Sequence, residues 1–307
     1  MTTITDEILD GPHGALRVRI YRPVEPTGRG IVWAHGGGFA AGDLDMPEAD
    51  GVARGLAAHG ATVVSVDYRL APLAPGAEGV RHPVASEEVG FAFTWAAGAG
   101  IAPGPWAIGG ASAGANLAAS ATLRLLHTGG ALPALVALAY PTLLAVQPEP
   151  DAELRAALDA DPVADRFGPA VVHAMYANLL GGDPAEADVY AAPGLAGPDD
   201  LAGFPPVLMV NSDVDELRVS GELFAATLRR AGTDVEVVRE PGTQHGHLNR
   251  PEEPAASVSI GRFAARLLAL PPAASPAAPA TGGRSGPPAH APGSHPDSAR
   301  NDPAGTA

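Results

Sequence analysis

The segment Gly110-Ala111-Ser112-Ala113-Gly114 follows a short apolar run, Trp106-Ala107-Ile108, and opens an alanine-rich stretch. A strand-to-helix turn that sharp tolerates only small neighbours, strains its middle residue and lifts that side chain above the carboxyl edge of the sheet. A serine there is a candidate nucleophile. The Ala113 amide would then sit at the positive end of the following helix, where a developing oxyanion is stabilised. A tight turn with a capping serine would use the same letters, but the strand before it and the helix after it favour the nucleophile. His35-Gly36-Gly37-Gly38-Phe39 follows a second such run, Ile31 to Ala34. Three successive glycines cost conformational entropy and pack nothing, so they predict bare backbone brought close to a reacting carbonyl, with N–H groups aimed at it. His35 is read as holding that loop by a hydrogen bond, not as carrying a proton.

A serine hydroxyl is a weak nucleophile and needs a base whose tautomer is fixed by an acid. Two stretches late in the chain offer both. Asn211 to Arg218 contains Asp213 and Asp215 just after the apolar run Val207 to Val210. Gly242 to His247 contains His245 and His247 just after Val235 to Val238. Spacing alone leaves two acids and two bases open.

Composition removes most other chemistries. The chain has 307 residues, 46% of them apolar and 17% charged, enough for a sizeable core. All 19 basic residues are arginine, so a Schiff-base lysine and a P-loop lysine are both ruled out. With no cysteine there is no thiolate nucleophile, disulfide or cysteine metal site. A net charge of −15 repels phosphate backbones and anionic lipid, so neither nucleic acid nor a membrane is an expected partner. No zinc or dinucleotide fingerprint is present, and neither metal nor cofactor is expected. The acidic group Asp43, Asp45, Glu48 and Asp50 fits no metal loop and reads as a solvated face. Met1 to Asp10 lacks the basic and apolar parts of a secretory signal, which predicts a cytoplasmic location by default. The apolar run Ala131 to Val146 is short for a bilayer and broken by Pro133 and Pro141, and it reads as a buried strand.

The elements that must position these residues alternate along the chain. A hairpin is expected from Ile4 to Leu9 and Leu16 to Tyr21 around Gly11-Pro12-His13-Gly14. Strands follow at Ile31 to Ala34, Thr62 to Val66, Trp106 to Ile108, Leu135 to Tyr140, Val207 to Val210 and Val235 to Val238. Helices are expected at Glu48 to Ala58, Ala85 to Ala97, Ala113 to His127, Leu217 to Ala231 and Ala255 to Leu270. That is an α/β chain with a mostly parallel eight-stranded sheet covered by helices on both faces. Two further helical patterns, Asp151 to Ala160 and Pro169 to Leu180, interrupt the rhythm and mark an insertion at 145–203, a lid or cap. The core is then 1–144 with 204–270. The stretch 271–307 has no large apolar side chain and reads as a disordered tail.

Taken together, these motifs resemble the bacterial hormone-sensitive-lipase-like esterases of the α/β-hydrolase superfamily over roughly residues 15 to 270. The likeness includes Asp67-Tyr68-Arg69-Leu70-Ala71-Pro72, Ala115-Asn116-Leu117, Tyr140-Pro141 and Phe204-Pro205-Pro206. It implies a serine carboxylesterase acting on small to medium acyl esters, with Ser112 as nucleophile. Asp215-Glu216-Leu217-Arg218 matches the family's acid stretch and selects Asp215; His245-Gly246-His247 matches its base stretch and selects His245. The oxyanion donors would be the amides of Gly37, Gly38 and Ala113. A small-molecule ester is the implied partner, and a homodimer is compatible with the likeness. The chain departs from the pattern at Ala111 and Leu73, where the family carries carboxylates. Only 34 residues precede His35, so the lid is expected to come from 145–203. An amide or formamide hydrolase with the same triad, or a ligand-binding relative of the fold, would share most of these letters. Phe39, Met175 and Tyr176 are read either as pocket lining or as core.

Overall fold

The computed structural model describes residues 1–74 and 76–271. Apart from Pro271, the stretch expected to form a disordered tail lies outside the described residues. Eight strands form one sheet: β1 (Thr3–Gly11), β2 (Gly14–Arg22), β3 (Gly30–Ala34), β4 (Thr62–Val66), β5 (Trp106–Ala111), β6 (Val136–Ala139), β7 (Val207–Val214) and β8 (Val235–Gln244). Their spatial order is β1-β2-β4-β3-β5-β6-β7-β8. β2 pairs antiparallel with β1 and β4, and the other ladders are parallel. The expected hairpin is thus an edge, closed with Gly11 opposite Gly14.

Helices α1 (Val52–Ala58), α2 (Val84–Gly98), α3 (Ala113–Thr128), α4 (Ala152–Ala160), α5 (Pro169–Leu180), α6 (Arg218–Arg230) and α7 (Pro254–Leu268) complete the chain. Strand side chains alternate between the two faces, as a period of two requires. Val32, Ala34, Val64, Val66 and Ile108 pack with Val89 and Phe93 of α2, Leu117 of α3 and Phe224 of α6. Ile31, Trp33, Val63 and Ala107 pack with Leu56 of α1 and with Phe263 and Leu267 of α7. Burial on both faces explains why β3 to β6 read as unbroken apolar runs and not as alternation.

The largest departures from the expected bounds lie near the functional residues. The helix expected from Glu48 begins instead at Val52, after a single wider turn over Pro47–Gly51. β7 and β8 run on to Val214 and Gln244, with a register shift between Ser212 and Val214. Such an irregularity re-aims the side chains beyond it. Among the described residues no helix is long and apolar enough to cross a membrane.

Candidate active site

Ser112 is the junction of β5 and α3, at φ 52° and ψ −115°, a conformation that costs an L-residue energy and persists only where the surroundings enforce it. The enforcement is visible in the glycines. A methyl group on Gly110 would meet Gly114 backbone, and one on Gly114 would collide with the carbonyl oxygens of Ala34 and His35. Absent side chains therefore let α3 start directly against β3 and β5. Ser112 is 7% exposed and His245 6%, while Asp215 is fully buried.

The three expected residues form one chain of hydrogen bonds. His245 Nδ1 lies 2.7 Å from Asp215 Oδ2, and Nε2 lies 2.9 Å from Ser112 Oγ. A carboxylate only accepts, so Nδ1 carries the hydrogen and Nε2 is left to receive the Ser112 hydroxyl proton. Asp215 Oδ1 accepts the Leu217 amide at 3.0 Å, which fixes the acid in turn. The other two candidates lie elsewhere. Asp213 accepts the Gly242 amide at 3.0 Å and pairs with Arg218. His247 sits between Ser212 Oγ at 2.9 Å and Ser259 Oγ at 2.8 Å; burial, with help from the Arg250 cation, pushes its pKa down to about 4.

The glycine loop turns its carbonyls inward. His35 Nδ1–H donates to Gly36 O at 2.7 Å, and Tyr68 Oη–H donates to His35 O at 2.8 Å. His35 stacks on Tyr68 with ring centroids 4.4 Å apart, and burial lowers its pKa, as expected of a fixed neutral holder. Because a peptide unit is planar and trans, a Gly36 carbonyl held there points the Gly37 N–H the opposite way. Gly37 (φ 109°) and Gly38 (φ 61°) adopt conformations suited to glycine. Among the described residues no hydrogen bond is donated by the amides of Gly37, Gly38 or Ala113. Gly37, Gly38, Ser112 and His245 line one cavity of about 370 Å³.

One reading of the acidic group is overturned: Glu48 is not on a solvated face. It is buried beneath the glycine loop, where Oε1 accepts the Gly36 amide at 2.8 Å and Oε2 accepts the Tyr140 hydroxyl at 2.8 Å. Tyr140 packs edge-on against both His245 and His247, at 4.9 and 5.0 Å. Glu48 thereby ties the glycine loop to the wall behind the imidazole. The wide turn over Pro47–Gly51 brings that carboxylate inward, and no periodicity in the sequence announced it. Asp45 and Asp50 do lie at the surface side, paired with Arg19 and Arg54. Phe39 and Tyr176 are core residues in edge contact, whereas Met175 lines a second cavity on the far side of Gly38.

The segment between β6 and β7 is anchored to the same helix start. Asn116 Nδ2, one turn after Ser112, reaches Thr142 O, Tyr176 Oη and Ala191 O at 2.9 to 3.0 Å. Just before α5, Phe167 packs on His245 at 4.4 Å and donates its amide to Glu216 at 2.6 Å. Burial raises the Glu216 pKa.

An alpha/beta-hydrolase-fold family model matches residues 31–249. The chain is 35% identical over 261 residues to the carboxylesterase NlhH of Mycobacterium tuberculosis, covering 81% of this chain and 77% of that protein. It is 34% identical over 254 residues to the esterase LipI of the same organism, covering 80% and 75%. The Pyrobaculum calidifontis esterase superposes with a TM-score of 0.75 at 30% identity, over 87% of this chain and 85% of that one. With that family match over most of the chain and about a third of its residues identical to these esterases, the chain belongs to the hormone-sensitive-lipase-like family of the alpha/beta-hydrolase fold.

Proposed function

We propose that the protein is a serine carboxylesterase in which Ser112 attacks the ester carbonyl while His245 takes its proton and Asp215 holds the imidazole in the required tautomer. The amides of Gly37, Gly38 and Ala113 would bind the tetrahedral oxyanion. Collapse of that intermediate forms an acyl-enzyme as His245 returns the proton to the leaving alcohol. Water activated by His245 then releases the acid. The unbroken path Asp215, His245, Ser112, beside two glycine amides in one cavity, is the observation that carries this reading. Residues 145–203 act as the cap, through Phe167 against His245, over a core of 1–144 and 204–270. A cavity of about 370 Å³ lies near the small end of ligand pockets and supports small to medium acyl groups.

The test is a series of aryl esters of increasing acyl length, with a matched anilide, given to wild type and Ser112→Ala. Wild type should hydrolyse the short esters and leave the anilide nearly untouched, and Ser112→Ala should lose about 10⁴-fold or more in kcat. A variant that keeps wild-type rates would remove Ser112 from the chemistry, and a dominant anilide rate would make the protein an amidase.

A further inference from the structure

We infer that the reacting cavity selects esters carrying a carboxylate, and that Arg166 is the residue that selects them. The inference rests on the serine-esterase reading and names its substrate class. Arg166 and Arg250 both line the cavity that holds Ser112 and His245. Both reach the His245 carbonyl, Arg166 Nη2 at 3.0 Å and Arg250 Nη1 at 3.4 Å. Arg250 also pairs with Glu253 at 2.8 Å, so its guanidinium already has a carboxylate partner. Arg166 pairs with no carboxylate among the described residues and its Nε and Nη1 make no hydrogen bond there; its guanidinium lies over the Phe167 ring at 5.6 Å.

The remaining charges near the cavity do not cancel that guanidinium. Glu48, the acid among the lining residues, is 2% exposed and both its oxygens are occupied by Gly36 and Tyr140. Asp215 is buried and committed to His245. Asp165, next to Arg166 in the chain, is paired with Arg155 at 2.7 Å. A chain of net charge −15 thus places a guanidinium without a carboxylate partner in the lining of the cavity that holds its nucleophile. A neutral ester offers that cation no opposite charge. A guanidinium presents parallel N–H groups that match the two oxygens of a carboxylate, and Arg166 is an exposed member of the cavity lining, so the pair forms under solvent screening. Its Nη2 stays on the His245 carbonyl, so binding the carboxylate through the free edge need not disturb the imidazole.

The experiment measures kcat/KM for two matched pairs: ethyl hydrogen glutarate against ethyl pentanoate, with the carboxylate on the acyl arm, and 4-acetoxybenzoate against phenyl acetate, with it on the alcohol arm. Wild type should prefer the charged member of at least one pair by about tenfold, and the arm that shows it locates the carboxylate. Raising the salt concentration should shrink the preference. Arg166→Gln should erase the preference, with the loss on the charged ester, read in KM, exceeding the loss on its neutral partner by about tenfold, and Arg166→Lys should restore part of it. No preference in either pair, or an equal loss on charged and neutral esters in Arg166→Gln, would overturn the inference and leave Arg166 as a prop for the His245 loop. Ser112-dependent hydrolysis of the neutral esters would in that case still support the esterase reading, so the two can fail separately.

Discussion

The loop after β3 and the loop after β8 flank Ser112 from the two sides of β5 in the sheet order, and they are fixed by different means. The first is a matter of missing atoms and buried acceptors. Gly36 has no room for a side chain because the Glu48 carboxylate and the Ser112 Cβ occupy that space. The second is a matter of side-chain partners: Asp215 for His245, two serines for His247, and two guanidiniums on the His245 carbonyl. A steric cradle has one solution and declares itself as glycine. A polar loop with two imidazoles two positions apart has two solutions until the partners are known.

Glu48→Gln tests the cradle and should have a larger effect on hydrolysis than any change at His247. An amide nitrogen must then face either the Gly36 N–H or the Tyr140 hydroxyl, which strands a buried donor worth about 1–3 kcal/mol. The expected result is a fall of about 10- to 100-fold in kcat on a short aryl ester, with KM changed little, because the N–H groups serve the transition state more than the bound ester. An unchanged kcat would show that the loop holds its shape without the carboxylate.

His247→Asn tests the other loop and should leave hydrolysis at neutral pH within about threefold of wild type. Its signature lies in acid stability. The unfolded chain binds a proton at this histidine below about pH 6.5, whereas the folded chain binds one only below about 4. Stability therefore falls as pH drops through that window, by about 3 kcal/mol at its lower end. Melting temperatures followed from pH 7 to pH 4 should drop less steeply in His247→Asn than in wild type. Equal slopes would mean that the wild-type imidazole is not held neutral, and a collapse of activity would make His247 a candidate base again.

How much of this was legible in the sequence follows the same division. Strands buried on both faces left unbroken apolar runs, so β3, β4 and β5 began within a residue or so of their expected starts. Backbone-limited positions, Gly110, Gly114 and the Gly36 to Gly38 run, were legible because only one residue type satisfies them. Asp213 against Asp215 was not separable by spacing, since both follow the apolar run of β7; the register shift past Ser212 divides them, and it leaves no compositional mark. Glu48 was misread for a related reason. Acidic residues usually face water, and only the turn over Pro47–Gly51 directs this one beneath the loop. Arg166 sits just outside α5, in a stretch with no periodicity to interpret, and its place beside His245 depends on a contact 79 positions away.

The mechanism requires Ser112 to be the residue that is acylated. Treating the protein with an aryl phosphonate ester and mapping the adduct by peptide mass measures that directly, because such reagents trap an activated serine in a tetrahedral adduct. The predicted result is one equivalent of label on Ser112, with activity lost in proportion and labelling much slower in His245→Ala. Activity lost with the label on another residue, or label taken up equally fast without the His245 imidazole, would contradict it.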